Sequence, residues 1–256
     1  MMKGIIKQIG KGIPWASVIY RGLCRFKRVL IVLAQFIRFH NFLRDGRFSC
    51  RWRERQFCCD DATLTTGFDA HYLYHTAWAA RVIAENRPAK HVDISSCLRF
   101  VSTISAFIPV DFYDYRPTAI NLSGMNSFHA DLADLPFEDN SIMSLSCMHV
   151  IEHIGLGRYG EPLDSQGDLK AATELQRVLA KGGILLIALP VGRPIIRFNA
   201  HRIYSASQVL SMFSELHLQG FALVDDNFNF IPAAELASAD RQTFGCGCFY
   251  FNRIKG

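Results

Sequence analysis

The run His149-Val150-Ile151-Glu152-His153 places two imidazoles and a carboxylate within five residues. Its H-x-x-E-H spacing is that of a zinc protease, whose chemistry requires both histidines and the glutamate on one helix, with a further ligand downstream. The flanks oppose that reading. His149 closes an apolar, strand-like stretch from Ser141 to Val150, and Gly155 and Gly157 interrupt any helix that follows. No metal site is therefore expected. Acid–base work suits the group better: His149, Glu152 and His153 are candidate catalytic residues, with His153 as general base because its ordinary pKa lies near neutrality. The competing reading is that Glu152 and His153 merely hold the neighbouring loop.

Three carboxylates recur where apolar runs end: Asp93 in the first, Asp114 closing the second and Asp131 after the third. Singly, each reads as a solvated turn; in strand order they suggest polar ligand contacts. Two further polar sets follow. Arg158 and Tyr159 lie in the Gly-rich segment from Gly155 to Asp168, and Asn199, His201 and Arg202 come soon after the fifth apolar run. Long segments of this kind in compact domains often carry function. A guanidinium suits phosphate or carboxylate and an aromatic face suits a sugar, so these five are candidate substrate residues.

The elements that must position these groups alternate. Strands are expected at His91–Ile94, Val110–Tyr113, Phe128–Ala130, Ser141–Val150, Ile184–Leu189, Phe221–Val224 and Gly247–Phe251. Helices are expected at Tyr72–Glu85, Leu98–Phe107, Asp168–Leu179 and Ala206–Leu216, with Pro88 ending the first and Lys181-Gly182-Gly183 stopping the third. Such alternation predicts an α/β fold with a doubly wound, mostly parallel sheet. In that architecture ligands bind beyond the carboxyl ends of the strands, which is where the carboxylates fall.

The segment Asp131-Leu132-Ala133-Asp134-Leu135-Pro136-Phe137-Glu138-Asp139-Asn140-Ser141 fits D-x-x-x-L-P-F-x-D-x-S. A strand, Ile151-Glu152-His153, and Glu174 to Gly183 as E-x-x-R-V-L-x-x-G-G then follow. With these motifs the stretch from His91 to Gly192 resembles the class I S-adenosylmethionine-dependent methyltransferases. Glu152 to Gly160 and Phe198-Asn199-Ala200-His201-Arg202 further resemble a bacterial family of uncharacterised methyltransferase-like proteins. The resemblance implies a Rossmann-like fold and S-adenosylmethionine as cofactor. Asp93 and Ser95 match the turn beside its methionine part, Asp114 the acid that accepts from both ribose hydroxyls, and Asp131 with Leu132 the adenine position. Ser95-Ser96-Cys97 departs from the family's glycines, and a turn needing positive φ is strained without them. Methyl transfer to an unidentified acceptor, with a glycan or glycolipid precursor preferred, is the implied activity. The alternatives are a methyltransferase-fold scaffold without activity and a membrane-associated transferase using a nucleotide-sugar. A nicotinamide enzyme would show G-x-G-x-x-G after the first strand, and that element is missing.

Charge is unevenly spread. Residues 1–55 hold 13 Lys or Arg against two acids, whereas the rest holds 15 against 21. Ile19, Leu23, Phe26, Leu30, Leu33 and Ile37 recur at helical spacing with Arg21, Arg25 and Arg28 on another face, an amphipathic helix with a cationic side. Two readings stand: the helix packs on the main domain, or it lies on an anionic membrane surface. Nucleic acid is set aside because no recognition motif accompanies the charge. The expected organisation is a basic helical extension over 1–44, a linker over 45–68 and the methyltransferase-like domain over 69–256. A cytoplasmic protein, peripheral at the inner face of the membrane, follows from these expectations. The eight cysteines lack C-x-x-C pairs and read as reduced thiols.

Overall fold

The structure, a computed structural model, describes residues 14–43 and 47–254. The chain divides into two compact units, residues 1–67 and 68–256.

In the first unit, helix α1 spans Pro14–Phe42. Phe36 meets Trp52 and Phe57 edge-on, with ring centroids 5.5 and 6.1 Å away. His40 Nδ1 lies 3.0 Å from the Cys50 carbonyl, and the Arg28 guanidinium pairs with Asp60. The stretch read as a linker thus folds back along α1 through an aromatic cluster. Phe36 belongs to a different side of α1 from the periodic stripe, of which Leu23, Phe26, Leu30 and Ile37 stay exposed. No described helix is long and apolar enough to cross a membrane.

The second unit begins with α2, Ala70–Asn86, where the Asp69 side chain accepts from the Tyr72 N–H and Arg87 caps the end at φ 46° just before Pro88. Then follow β1 (His91–Ile94), α3 (Leu98–Ile104), β2 (Val110–Asp114), β3 (Met125–His129), β4 (Ile142–Met148) and a 3-10 turn at Ile151–His153. Helix α4 (Gly167–Val178) leads into β5 (Leu179–Val191), the hairpin β6 (Ile195–Arg197) and β7 (His201–Ile203), and α5 (Ala206–Met212). Strands β8 (His217–Val224), β9 (Phe230–Ile231) and β10 (Gly245–Asn252) complete the unit.

Eight strands form one sheet in the order β3-β2-β1-β4-β5-β10-β8-β9. The first five are mutually parallel; β10 runs antiparallel to both β5 and β8. Strand β5 shows why helices cover both faces. Leu185, Ile187, Leu189 and Val191 pack with α4 and α5 on one side, while Leu186 and Ala188 join the α2 and α3 residues on the other. That is the period of two expected of a strand buried on both faces. Each fully buried leucine or isoleucine contributes about 2 kcal/mol. The fold is the doubly wound α/β architecture that the alternation predicts.

The stop after α4 differs from expectation. Leu179 is already extended and pairs with Ile142, whereas Ser144 pairs with Ile184. Lys181-Gly182-Gly183 therefore forms a bulge inside β5 rather than a helix cap, with Gly182 at φ 77°. The Gly182 N–H donates to the Arg253 carbonyl, fastening the bulge to the segment just after β10.

Candidate functional site

The sheet's winding reverses between β1 and β4, and in open α/β sheets ligands bind in the crevice at that point. At the end of β1, Asp93 is fully buried. Its carboxylate accepts from the Ser96 N–H at 3.0 Å and from the Ser146 hydroxyl. Burial outweighs these donors and pushes its pKa up to about 7. His91 Nε2, 2.8 Å from the Ser146 hydroxyl, completes a buried chain of polar groups between β1 and β4. Asp93 was expected to face the cofactor's methionine part; its oxygens are instead taken by the turn and by β4.

The turn itself is tight. Ser95 adopts φ 56°, its N–H donates to the Tyr113 carbonyl at 2.7 Å, and the Ser96 hydroxyl accepts from the Met148 N–H at 2.9 Å. A non-glycine residue in this region costs roughly 1–2 kcal/mol. Ser95 still borders open space. It lines a cavity of about 410 Å³ together with Asp114, Tyr115, Arg116 and His153, and a second of about 190 Å³ with Asp131 and Leu132. The two cavities share Ser95, Tyr115, Ile154 and Tyr159.

In each of the outer carboxylates one oxygen is committed. Asp114 Oδ1 accepts from the Arg116 N–H at 2.7 Å, and Asp131 Oδ1 from the Ala133 N–H at 2.9 Å. Their second oxygens have no hydrogen bond among the described residues. The loop bearing Asp131 is clamped from α4. Glu174 accepts from the Leu135 N–H at 2.8 Å, while Arg177 donates to the Phe137 and Leu135 carbonyls at 2.8 and 3.0 Å. The paired motifs D-x-x-x-L-P-F and E-x-x-R are thus two halves of one clamp.

His149 and His153 line both the 410 Å³ cavity and a third of about 550 Å³, bordered also by His71, Tyr72, Arg158 and Phe244. His149 sits at φ 57° just after β4, and His153 ends the 3-10 turn, so H-x-x-E-H does not lie on one helix. His149 Nδ1 is 2.9 Å from Glu152 Oε1, and its Nε2 is 3.3 Å from the Cys246 sulfur. Burial opposes the charged imidazole, but the Cys246 and Glu152 side chains beside it outweigh burial and raise its pKa. Burial would raise the Glu152 carboxyl, yet His149 beside it holds it below its ordinary value. Both nitrogens of His149, a candidate catalytic residue, are engaged, one of them by Glu152.

His153 differs. Its Nδ1 lies 2.6 Å from the Ala200 carbonyl, which only accepts, so Nδ1 carries the proton; Nε2 keeps its lone pair, which faces Arg158 Nη1 at 3.3 Å. Burial lowers its pKa, Glu152 opposes this and the nearby Arg158 guanidinium adds to it. A neutral imidazole with a basic Nε2, on the wall between two cavities, is placed to take a proton.

The expected substrate residues separate. Arg158 and His201 line the 550 Å³ cavity, and Arg158 also donates to the Ala200 carbonyl at 2.9 Å. Tyr159 faces the two smaller cavities, with the Arg116 guanidinium 4.5 Å from its ring centroid. Asn199 is exposed and borders none of these three cavities. Arg202 is buried: it donates to the Ile154 carbonyl at 2.7 Å and reaches Asp168 at 3.5 Å, pinning the base of the 155–165 loop. Gly155 is required there, because its φ is 78° and a Cβ would come within 2.1 Å of the Asp164 carbonyl oxygen. Asn199 and Arg202 thus stand apart from the 550 Å³ cavity; Arg202 instead borders a cavity of about 510 Å³ together with Tyr204 and Met212. Arg116, His71, Tyr72 and Cys246 were missed. Cys246 alone left a trace, its alternation with Cys248 on a strand of the same sheet.

A family model described as "Caenorhabditis protein of unknown function, DUF268" matches residues 137–235. No curated protein matches the chain. Among solved structures, MccD protein is 14% identical, with 70% of this chain and 96% of that one covered at a TM-score of 0.50. A TehB-like SAM-dependent methyltransferase from Corynebacterium glutamicum is 14% identical over 69% of this chain and 87% of its own, at 0.44. The YcgJ protein of Bacillus subtilis is 13% identical, with 70% and 99% covered, at 0.47. At such identities the likeness is one of fold.

Proposed function

We propose that the chain is an S-adenosylmethionine-dependent methyltransferase. One observation carries this reading: cavities holding Ser95, Asp114 and Asp131 at the winding reversal meet a separate cavity across a wall that contains His153. The donor set fits the cofactor. Asp114 offers an uncommitted carboxylate oxygen for ribose hydroxyls, Asp131 one for the adenine amine, and Leu132 an apolar surface for the ring. The Ser95-Ser96 turn takes the methionine part. Bound there, the cofactor supplies an electrophilic methyl group on a sulfonium sulfur.

The chain's own residues do the rest. The 550 Å³ cavity receives the acceptor, with Tyr72 and Phe244 as apolar surfaces and Arg158 as a cationic one. That combination fits a hydroxyl-bearing glycan or glycolipid precursor. Alignment of acceptor and methyl group supplies most of the acceleration, and His153 Nε2 takes the hydroxyl proton. Arg158 helps keep His153 neutral until that step. The exposed apolar stripe of α1 and the arginine-rich face read from its sequence support a second part of the proposal: α1 rests on an anionic membrane, at its cytoplasmic face.

Calorimetry with S-adenosylhomocysteine tests the reading. Micromolar binding by the wild type, weakened roughly tenfold or more in Asp114→Ala, is the expected outcome. A folded wild type that does not bind leaves the scaffold reading, which the positive φ of Ser95 favours. Retention of a nucleotide-sugar would point to the other transferase class.

A further inference from the structure

Beside the wall between the cavities lies a cluster that the methyl-transfer reading does not use. His71 stands in the first turn of α2, His149 follows β4 and Cys246 lies on β10. One ligand atom from each falls within 4.8 Å of the others. His71 and Cys246 are buried, and the His149 side chain is only 7% exposed. From these positions we infer a transition-metal site of the zinc class, held by His71, His149 and Cys246.

Three further observations support it. First, the Nε2 of His149 is 3.3 Å from the Cys246 sulfur, close to the edge of a tetrahedron of nitrogen and sulfur ligands around zinc. Second, its Nδ1 faces the Glu152 carboxylate at 2.9 Å. Metal-bound histidines almost always donate their other ring N–H to such a group, which fixes the tautomer and the ring's direction. Third, Glu152 Oε2 and His75 Nε2 are buried without a hydrogen-bond partner among the described residues. The His75 ring centroid lies 4.9 Å from that of His149, and its Nδ1 already bonds the His71 carbonyl at 2.7 Å. Neither Glu152 Oε2 nor His75 Nε2 is one of the three ligands, but both leave unsatisfied acceptors around the cluster, which favours a cation there.

Two imidazoles and a thiolate select zinc or copper over magnesium or calcium, whose preference is for oxygen. Three protein ligands leave a fourth position, as in catalytic rather than structural zinc sites. His71 and His149 both line the 550 Å³ cavity, so that position is reached from the acceptor side. If the methyl-transfer reading holds, and only then, the metal favours acceptors bearing a thiol or a hydroxyl, which lose a proton on coordination.

The test needs no methyl-transfer assay. The full chain carrying Cys58→Ser and Cys59→Ser, which removes an adjacent thiol pair elsewhere, is titrated with Zn²⁺ against a chromogenic chelator. It is also titrated with Co²⁺ and followed by absorption. One equivalent per chain, with a thiolate-to-cobalt charge-transfer band and tetrahedral ligand-field bands, is expected. Cys246→Ser should abolish the charge-transfer band. His71→Ala, which leaves the strand core intact, should weaken zinc binding at least tenfold, and Glu152→Gln roughly 10–100-fold. Absence of stoichiometric zinc, or affinity and spectrum unchanged in folded Cys246→Ser and His71→Ala, would overturn the site. Either result leaves S-adenosylhomocysteine binding as a separate question.

Discussion

The Nδ1 of His153 lies 2.6 Å from the carbonyl oxygen of Ala200, joining the turn after β4 to the loop before β7 across 47 positions. This contact settles which nitrogen holds the proton, and from it comes the first prediction. Activity should fall on the acid side as His153 protonates, at a pH below the ordinary histidine value, since its pKa is lowered by burial and by Arg158. His153→Gln should lower kcat roughly 100-fold or more and remove that acid limb. Arg158→Ala removes one lowering influence, so the limb should move to higher pH. A pH–rate profile that keeps its limb in His153→Gln would exclude the residue as base.

Asp93 predicts a pH dependence of stability. Its carboxyl ionises near 3.9 in the unfolded chain but only near 7 when buried. Between these values the folded state binds the extra proton, so this group's contribution falls as pH rises from about 4 to about 7 and is flat above. His75 and His91, both lowered to about 3 by burial, act in the opposite direction: their contribution is lost as pH falls below about 6.5. The difference between wild type and Asp93→Asn isolates the carboxyl. That difference should change by on the order of 3 kcal/mol across the window in urea titrations at pH 4.5 and 7.5. Parallel curves at the two pH values would contradict the buried, protonated Asp93.

Arg177 should matter to cofactor binding without touching it. Arg177→Ala removes the donors to the Leu135 and Phe137 carbonyls, a loss of about 2 kcal/mol and roughly 6 °C in Tm. S-adenosylhomocysteine affinity should fall as well, because the loop carrying Asp131 is released. Arg177→Lys, which keeps the charge but not the fork, should behave nearly as badly. Intact affinity in a destabilised Arg177→Ala would separate the clamp from the adenine position.

The α1 proposal is tested by sedimentation with vesicles. Anionic vesicles should retain the chain, neutral ones should not, and salt should weaken retention as the Debye length shortens. At roughly 1 kcal/mol per basic residue near the surface, reversing Arg21, Arg25 and Arg28 should lower partitioning at least about 100-fold. Equal pelleting of wild type and the triple reversal would remove the membrane from the account.

What was legible in the sequence follows from the range over which each pattern is written. Strand β5 could be read because Ile184 to Leu189 is an unbroken apolar run, and α4 because Leu175 and Val178 recur at helical spacing. The hairpin of β6 and β7 could not, since Ile195 and Ile196 are adjacent and both exposed, so no period of two marks it. Asp114, Asp131 and Leu132 could be singled out as candidates because strand ends are local features. The pairing of His149 with Cys246 spans 97 positions and depends on where β10 enters the sheet, which no spacing records. Arg202 was misread for a related reason. A guanidinium among polar neighbours reads as a substrate contact until its carbonyl partner, Ile154, is known.

Strand β10 follows β8 in the chain yet lies between β5 and β8 in the sheet. During synthesis, therefore, β8 emerges with no neighbour to pair with on that side, and β5 keeps an open edge until β10 has left the ribosome. Apolar, unpaired edges of this kind recruit other chains. The nascent protein is consequently most exposed to misassembly in the interval between β8 and β10. Because β10 also delivers Cys246, a chain stalled in that interval has neither a closed sheet nor the thiol that completes the cluster with His71 and His149.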